Sequence, residues 1–126
     1  MTLGELERAV LAHLWSAGAA DAKAVHVALG RRRGITLSTI QSTLKRLYEK
    51  GLLGRTKVSH AHLYVPAIDR EEFERAALDR TIEQVLGGRT DAMIAAFVDL
   101  TARAGDEELA KLEALVAAKR RERARR

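Results

Sequence analysis

Leu3, Leu6, Val10 and Leu14 recur at intervals of three and four residues, the spacing that gathers apolar side chains on one face of a helix. Thr2 and Glu5 stand three apart at its start, which predicts a capping box there. The helix is expected to end near Trp15 and to stop at Gly18. A second helix is predicted from Asp21 to Leu29, with Val25 and Leu29 buried and Gly30 ending it. Arg31-Arg32-Arg33-Gly34 reads as a basic connector. Thr36 then caps a third helix, Leu37 to Lys50, closed by Gly51 at the position that favours a left-handed residue.

After Gly51 the apolar period shortens. Leu52, Leu53, Arg55 and Lys57, then Leu63, Tyr64 and Val65, are β-prone stretches on either side of Ser59-His60-Ala61-His62. They predict a hairpin with three to five turn residues, ended by Pro66. From Asp69 onward the pattern is helical again, over about 70–86, 90–104 and 106 to the end, punctuated by Gly87-Gly88 and Gly105. Three helices and a two-stranded ribbon within 68 residues match the winged helix-turn-helix layout. The expected fold is mainly α with a small β-wing: a winged-helix DNA-binding domain over 1–68, then a helical dimerisation region with a basic tail over 69–126. The later stripes, Phe73 and Ala77, then Ile94, Phe97 and Val98, then Leu109, Leu112 and Val116, bury little area on their own. Exchange of them between two chains, a homodimer, is the simplest remedy.

Charge divides the chain along the same line. Residues 1–68 carry ten Lys/Arg against four Asp/Glu, 69–118 carry six against twelve, and 119–126 carry six against one. A basic first half beside an acidic helical half predicts an anionic partner at the first half only, nucleic acid ahead of a membrane surface. Asn is absent and Arg outnumbers Lys 16 to 6, a bias that reads as the codon usage of a GC-rich genome rather than as function. The chain has no Cys, which excludes disulfides, thiolate catalysis and Cys-based zinc sites. The uncharged run Ala9 to Ala20 is too short to span a bilayer. The first seven residues hold Glu5 and Glu7 and no base, so no secretory segment is expected and the cytoplasm is the expected location.

On the third helix, Leu37, Ile40, Leu44, Leu47 and Tyr48 form one apolar arc. Ser38, Ser42, Lys45 and Arg46 lie opposite, flanked by Thr39 and Gln41. A helix entering the major groove needs short polar residues where it meets base edges and cations where it meets phosphates. Gln41 suits a bidentate contact to adenine; Lys45 or Arg46 reaches guanine or phosphate. The expected DNA-contacting set is Thr36, Ser38, Thr39, Gln41, Ser42, Lys45 and Arg46 in the groove, with Arg55, Lys57 and His60 of the wing at the backbone.

Leu3-Gly4-Glu5-Leu6-Glu7 with Val10 and Leu14-Trp15 resembles the first helix of the penicillinase-repressor (BlaI/MecI) family. Thr39 to Leu47 followed by Lys50-Gly51-Leu52 resembles that family's recognition helix, T-V-x-T-x-L-x-R-L…K-G. Tyr64-Val65-Pro66 resembles the end of its wing, and Phe73 to Gly87-Gly88, then Phe97, its dimerisation helices. The resemblance implies a homodimeric repressor of inverted repeats of the TACA/TGTA type. It also implies induction by a membrane-sensor protease pathway that cuts before a Phe, here the Ala96–Phe97 bond, with Ala where the best-known members have Asn. Ser42 replaces a usual Thr, and His60 stands where Arg is common. Without Cys, the copper-responsive CopY branch is excluded.

Other features carry less. His60-Ala61-His62 lacks carboxylate or Cys neighbours, so no metal is expected. His13 and His26 read as packed or solvated side chains on helices. Gly51-Leu52-Leu53-Gly54 marks a helix end rather than a phosphate loop. No catalytic arrangement is legible, and neither an enzyme nor a cofactor is expected. The tail Lys119 to Arg126 suits a helix C-terminus on dipole grounds, with DNA backbone, an acidic partner or a membrane as alternatives. Two rival functions are a MarR- or PadR-like regulator released by a small ligand and a winged-helix protein-interaction module.

Overall fold

The computed structural model describes residues 3–126; Thr2, expected in the first cap, lies outside the described residues. The elements in chain order are α1 (Glu5–Ala17), α2 (Ala22–Val25) continuing as a π-helical turn (His26–Gly30), α3 (Leu37–Glu49), β1 (Leu53–Val58), β2 (Ala61–Pro66), α4 (Arg70–Leu86), α5 (Thr90–Ala104) and α6 (Asp106–Ala124). The fold is thus mainly helical with a two-stranded wing. The chain divides into two compact units between Leu78 and Asp79.

The first unit is built around one core. Val10, Leu11 and Leu14 of α1, Val25 of α2, and Ile40, Leu44 and Leu47 of α3 are at most 1% exposed, and Leu52, Leu53 and Tyr64 close the core from the wing side. Each such aliphatic side chain removed from water contributes about 1.5–3 kcal/mol. The helix ends follow their signals with two shifts. Gly4, not Thr2, is the N-cap of α1, and its N–H donates to Glu7 Oε1 at 3.3 Å, so Glu7 rather than Glu5 closes the turn. Gly30 does not stop α2; it is buried inside the π turn, and the chain reverses at Gly34, at φ 68°. Leu29 is half-buried against the core. Thr36 caps α3 as expected, its hydroxyl accepting from Thr39 N–H at 3.2 Å.

The wing pairs antiparallel from Leu53↔Pro66 to Val58↔Ala61. That register leaves a turn of two residues, Ser59 and His60, shorter than the three to five expected. Ser59 takes φ 60°, and a positive φ at the first turn residue belongs to a two-residue hairpin turn whose twist matches the strands. The wing is held to the body by Ala20, which exchanges both backbone hydrogen bonds with Tyr64 at 2.9 and 3.0 Å.

One ion pair fastens the far end of α3. Lys50 Nζ lies 2.6 Å from Glu7 Oε2, with both side chains largely shielded. The hydrogen bond from Lys50 holds the Glu7 carboxyl below the usual 4.5, against the opposing effect of its burial. The folded chain therefore binds this proton more weakly than the unfolded chain. The pair contributes fully above the ordinary carboxylate range and is lost as pH falls through the lowered folded value. Glu7→Gln is expected to cost about 1–3 kcal/mol at neutral pH and much less in acid, as denaturant melts at the two pH values will read.

The second unit, Asp79–Arg126, is different in kind: none of its residues is buried. α5 and α6 pack on each other across Gly105, at φ 135°. Ile94, Phe97, Val98, Leu100, Leu115 and Val116 are all more than a third exposed, with Leu109 and Leu112 half-buried. No helix among the described residues is long and apolar enough to cross a membrane.

Candidate nucleic-acid interface

The buried arc of α3 is Ile40, Thr43, Leu44 and Leu47, with Leu37 half-buried. Thr43 is fully enclosed, and its hydroxyl is satisfied by donating to the Thr39 carbonyl at 2.8 Å. Tyr48, expected in the core, lies at its edge, 38% exposed. Arg55 covers the ring instead, its guanidinium carbon 3.9 Å from the centroid. The contact anchors the base of the wing to the end of α3.

With that arc fixed inward, Ser38, Thr39, Gln41, Ser42, Lys45 and Arg46 are all exposed. The structure then sorts them. Gln41 and Lys45 join Arg55 and His60 along a groove of about 680 Å³ between α3 and the wing, whose other walls include Asp21, Lys23, His62 and Tyr64. Ser38 and Ser42 stand elsewhere on the exposed face of α3, and Lys57 is exposed on β1 opposite His62. Thr36 and Thr39 bond to each other, hydroxyl to hydroxyl at 3.0 Å, and so serve the helix cap. Arg46 is drawn back: one guanidinium nitrogen donates to Thr43 Oγ1 at 3.3 Å, and its charge reaches Glu7.

Sequence reasoning missed Lys23 and His62 as groove residues. Lys23 follows the Asp21 cap by two residues, a spacing with no periodic signal. His62 points the same way as Tyr64 because β2 alternates, and its Nδ1 is enclosed without a hydrogen-bond partner. The groove walls hold Lys23, Lys45 and Arg55 against one carboxylate, Asp21. Such a cleft, flanked by hydrogen-bonding side chains on an exposed helix face, suits a polyanion with readable edges better than a small neutral ligand.

The sequence model of the penicillinase repressor family matches residues 3–118. The chain belongs to that family. It is 33% identical over 122 residues to the transcriptional regulator BlaI of Mycobacterium tuberculosis, an alignment covering 82% of this chain and 88% of the relative. Among solved structures, the DNA-binding domain of the repressor BlaI superposes with a TM-score of 0.51 at 27% identity, covering 56% of this chain and 87% of that one. This member of the penicillinase repressor family is a transcriptional regulator with a winged-helix domain, not an enzyme.

The remaining expected residues lie outside the groove. Phe73 packs on Trp15, ring centroids 5.5 Å apart, in the first unit, where Trp15 Nε1 also donates to the Ile68 carbonyl at 2.9 Å. Ala96 and Phe97 lie in the middle of α5, and the Phe97 carbonyl accepts from the Thr101 hydroxyl at 2.6 Å.

Proposed function

We propose that this member of the penicillinase repressor family is a sequence-specific, duplex-DNA-binding repressor that occupies an inverted-repeat operator as a homodimer. The observation that carries the reading is the fixed outward face of α3, with Gln41 and Lys45 opening onto a cationic groove closed by the wing. Gln41, Ser38 and Ser42 read base edges, while Lys45, Arg55, Lys57 and His60 hold the backbone. Thr36 and Thr39 set the helix terminus from which that reading starts, and Arg46 contacts phosphate after leaving Thr43.

The second copy is argued from the second unit. Six large apolar side chains of α5 and α6 are more than a third exposed on helices that enclose nothing, and covering them with the same surface of another chain is the symmetric solution. Ile94, Phe97, Leu109, Leu112 and Val116 form that interface, whereas Phe73 is engaged with Trp15 within the first unit. Inactivation by cutting Ala96–Phe97 fits the same design, since it removes α6 from the interface. The bond is helical, so a protease needs α5 to open locally first.

The test is selection of bound duplexes from a random library with the full chain. The expected product is an inverted repeat whose half-site centres lie about one helical turn, ~34 Å, apart. Gln41→Ala should change the selected bases at one position per half-site, whereas Lys57→Ala should weaken binding without changing them. A library that emerges without any enriched sequence would overturn the reading.

A further inference from the structure

We propose that the turn Arg31–Arg33 is a further phosphate-binding surface on duplex DNA, and that His26 is the positioning residue that presents it. The inference rests on the DNA-binding reading of α3 but names residues that reading does not use.

Four backbone hydrogen bonds and one from a side chain hold the turn. Arg31 N–H donates to the His26 carbonyl at 3.1 Å, a bond spanning five residues, which makes this stretch π-helical. Single π turns of this kind are rare and concentrate at functional sites. Arg33 and Ile35 both donate their N–H to the Gly30 carbonyl, at 3.2 and 2.9 Å, and Gly34 donates to Arg31 at 3.4 Å. The imidazole of His26 then crosses the open end of the turn, its Nε2 lying 2.8 Å from the Ile35 carbonyl. A carbonyl only accepts, so Nε2 carries the hydrogen.

Gly30 is part of the same device. A Cβ at this buried position would stand 2.5 Å from His26 Cδ2 and 3.1 Å from the Ile35 carbonyl oxygen. Only glycine leaves room for the imidazole to reach Ile35. Gly30 has no positive φ, so backbone freedom is not its reason for being there.

What the clasp presents is charge. Arg31, Arg32 and Arg33 are all exposed, and among the described residues none has an ion-pair partner. The charged helices of the second unit, by contrast, pair several cations with carboxylates one turn away. The turn leads within three residues to Thr36, the N-cap of α3. A recognition helix entering the groove by its N-terminal half carries this turn to the flanking backbone, where guanidinium groups are suited to phosphate.

The experiment is a salt series of anisotropy titrations at one fixed pH. It uses the full chain and a labelled duplex from upstream of its own coding region. Replacing Arg31, Arg32 and Arg33 together by Ala should make the plot of log affinity against log salt shallower, by about 0.9 for each phosphate that is no longer neutralised. His26→Ala leaves all three guanidinium groups in place, yet should shift the slope in the same direction, and Gly30→Ala should do likewise by displacing the ring. His26→Gln, whose amide N–H also donates to a carbonyl, should restore part of the slope.

A triple Arg variant with the slope of the unmodified chain would overturn the phosphate contact. His26→Ala with an unmodified slope would overturn its positioning role. If His26→Ala does not fold, Gly30→Ala and His26→Gln decide that role, and the exposed arginines decide the contact. A chain that binds steeply with salt while the triple variant matches it defeats this inference alone; a chain that binds no duplex at low salt defeats the broader reading.

Discussion

Placing a carboxylate in the C-terminal helices is expected to lower apparent operator affinity by ~10²–10⁴-fold, because the second half-site then ceases to be held at an effective concentration of order millimolar. Leu112→Glu is the variant of choice. Leu112 is half-buried among side chains of a unit that encloses nothing, and an unpaired carboxylate buried between two chains is strongly destabilising. Analytical ultracentrifugation should find a monomer whose winged-helix unit melts as before. An unchanged dimer would mean that the interface lies elsewhere. Cutting Ala96–Phe97 is expected to have the same consequence by a different route. An immunoblot of the native host treated with a cell-wall antibiotic should then show a fragment ending near residue 96. Derepression with the full-length chain intact would reject proteolysis and favour release by a ligand.

The second large effect is expected in the core under α3. Leu44 is fully buried between the reading face and α1, and Leu44→Ala should cost ~2–5 kcal/mol. Against a total of about 5–15 kcal/mol for a domain, that lowers the melting temperature by ~10–30 °C and removes DNA binding near physiological temperature. Tyr48→Ala, one helical turn away at the exposed edge, should cost far less. If the two variants melt alike, Leu44 does not lie on the inward face of α3.

The contrast between those two positions shows where sequence reasoning reached and where it ended. Periodicity orients α3 because Ile40, Leu44 and Leu47 repeat at helical spacing, and once they are inward Gln41 and Lys45 must be outward. The same rule assigns Tyr48 to the core by its polarity class, although a phenol at the end of the arc has an alternative, Arg55, that only the wing's return supplies. Thr43 is not among the residues of that expected arc, yet it is buried, because a helical carbonyl four residues back satisfies its hydroxyl in the core. Glu7 and Lys50 are 43 residues apart and carry no local signal of pairing. The π turn is likewise invisible, since Gly30 reads as a helix stop until the imidazole beside it is seen to need the space.

The groove was legible in part for the same reason. Charge counts find the basic half, and the helix wheel finds Gln41 and Lys45, because both are properties of one segment. Lys23 and His62 enter through the register of the wing and the bridge between Ala20 and Tyr64, which are tertiary facts. In the second unit the position is reversed. The apolar stripes were plain in the sequence, and the single chain leaves most of them uncovered.

Whether α3 and the wing grip duplex DNA is decided by the salt dependence of affinity. With the unmodified chain, log affinity should fall linearly with log salt at about −0.9 per phosphate neutralised. Lys45→Ala and Lys57→Ala should each flatten that line, and Gln41→Ala should leave its slope intact. Affinity that does not change with salt, or no duplex binding at low salt, would mean that α3 and the wing do not bind DNA.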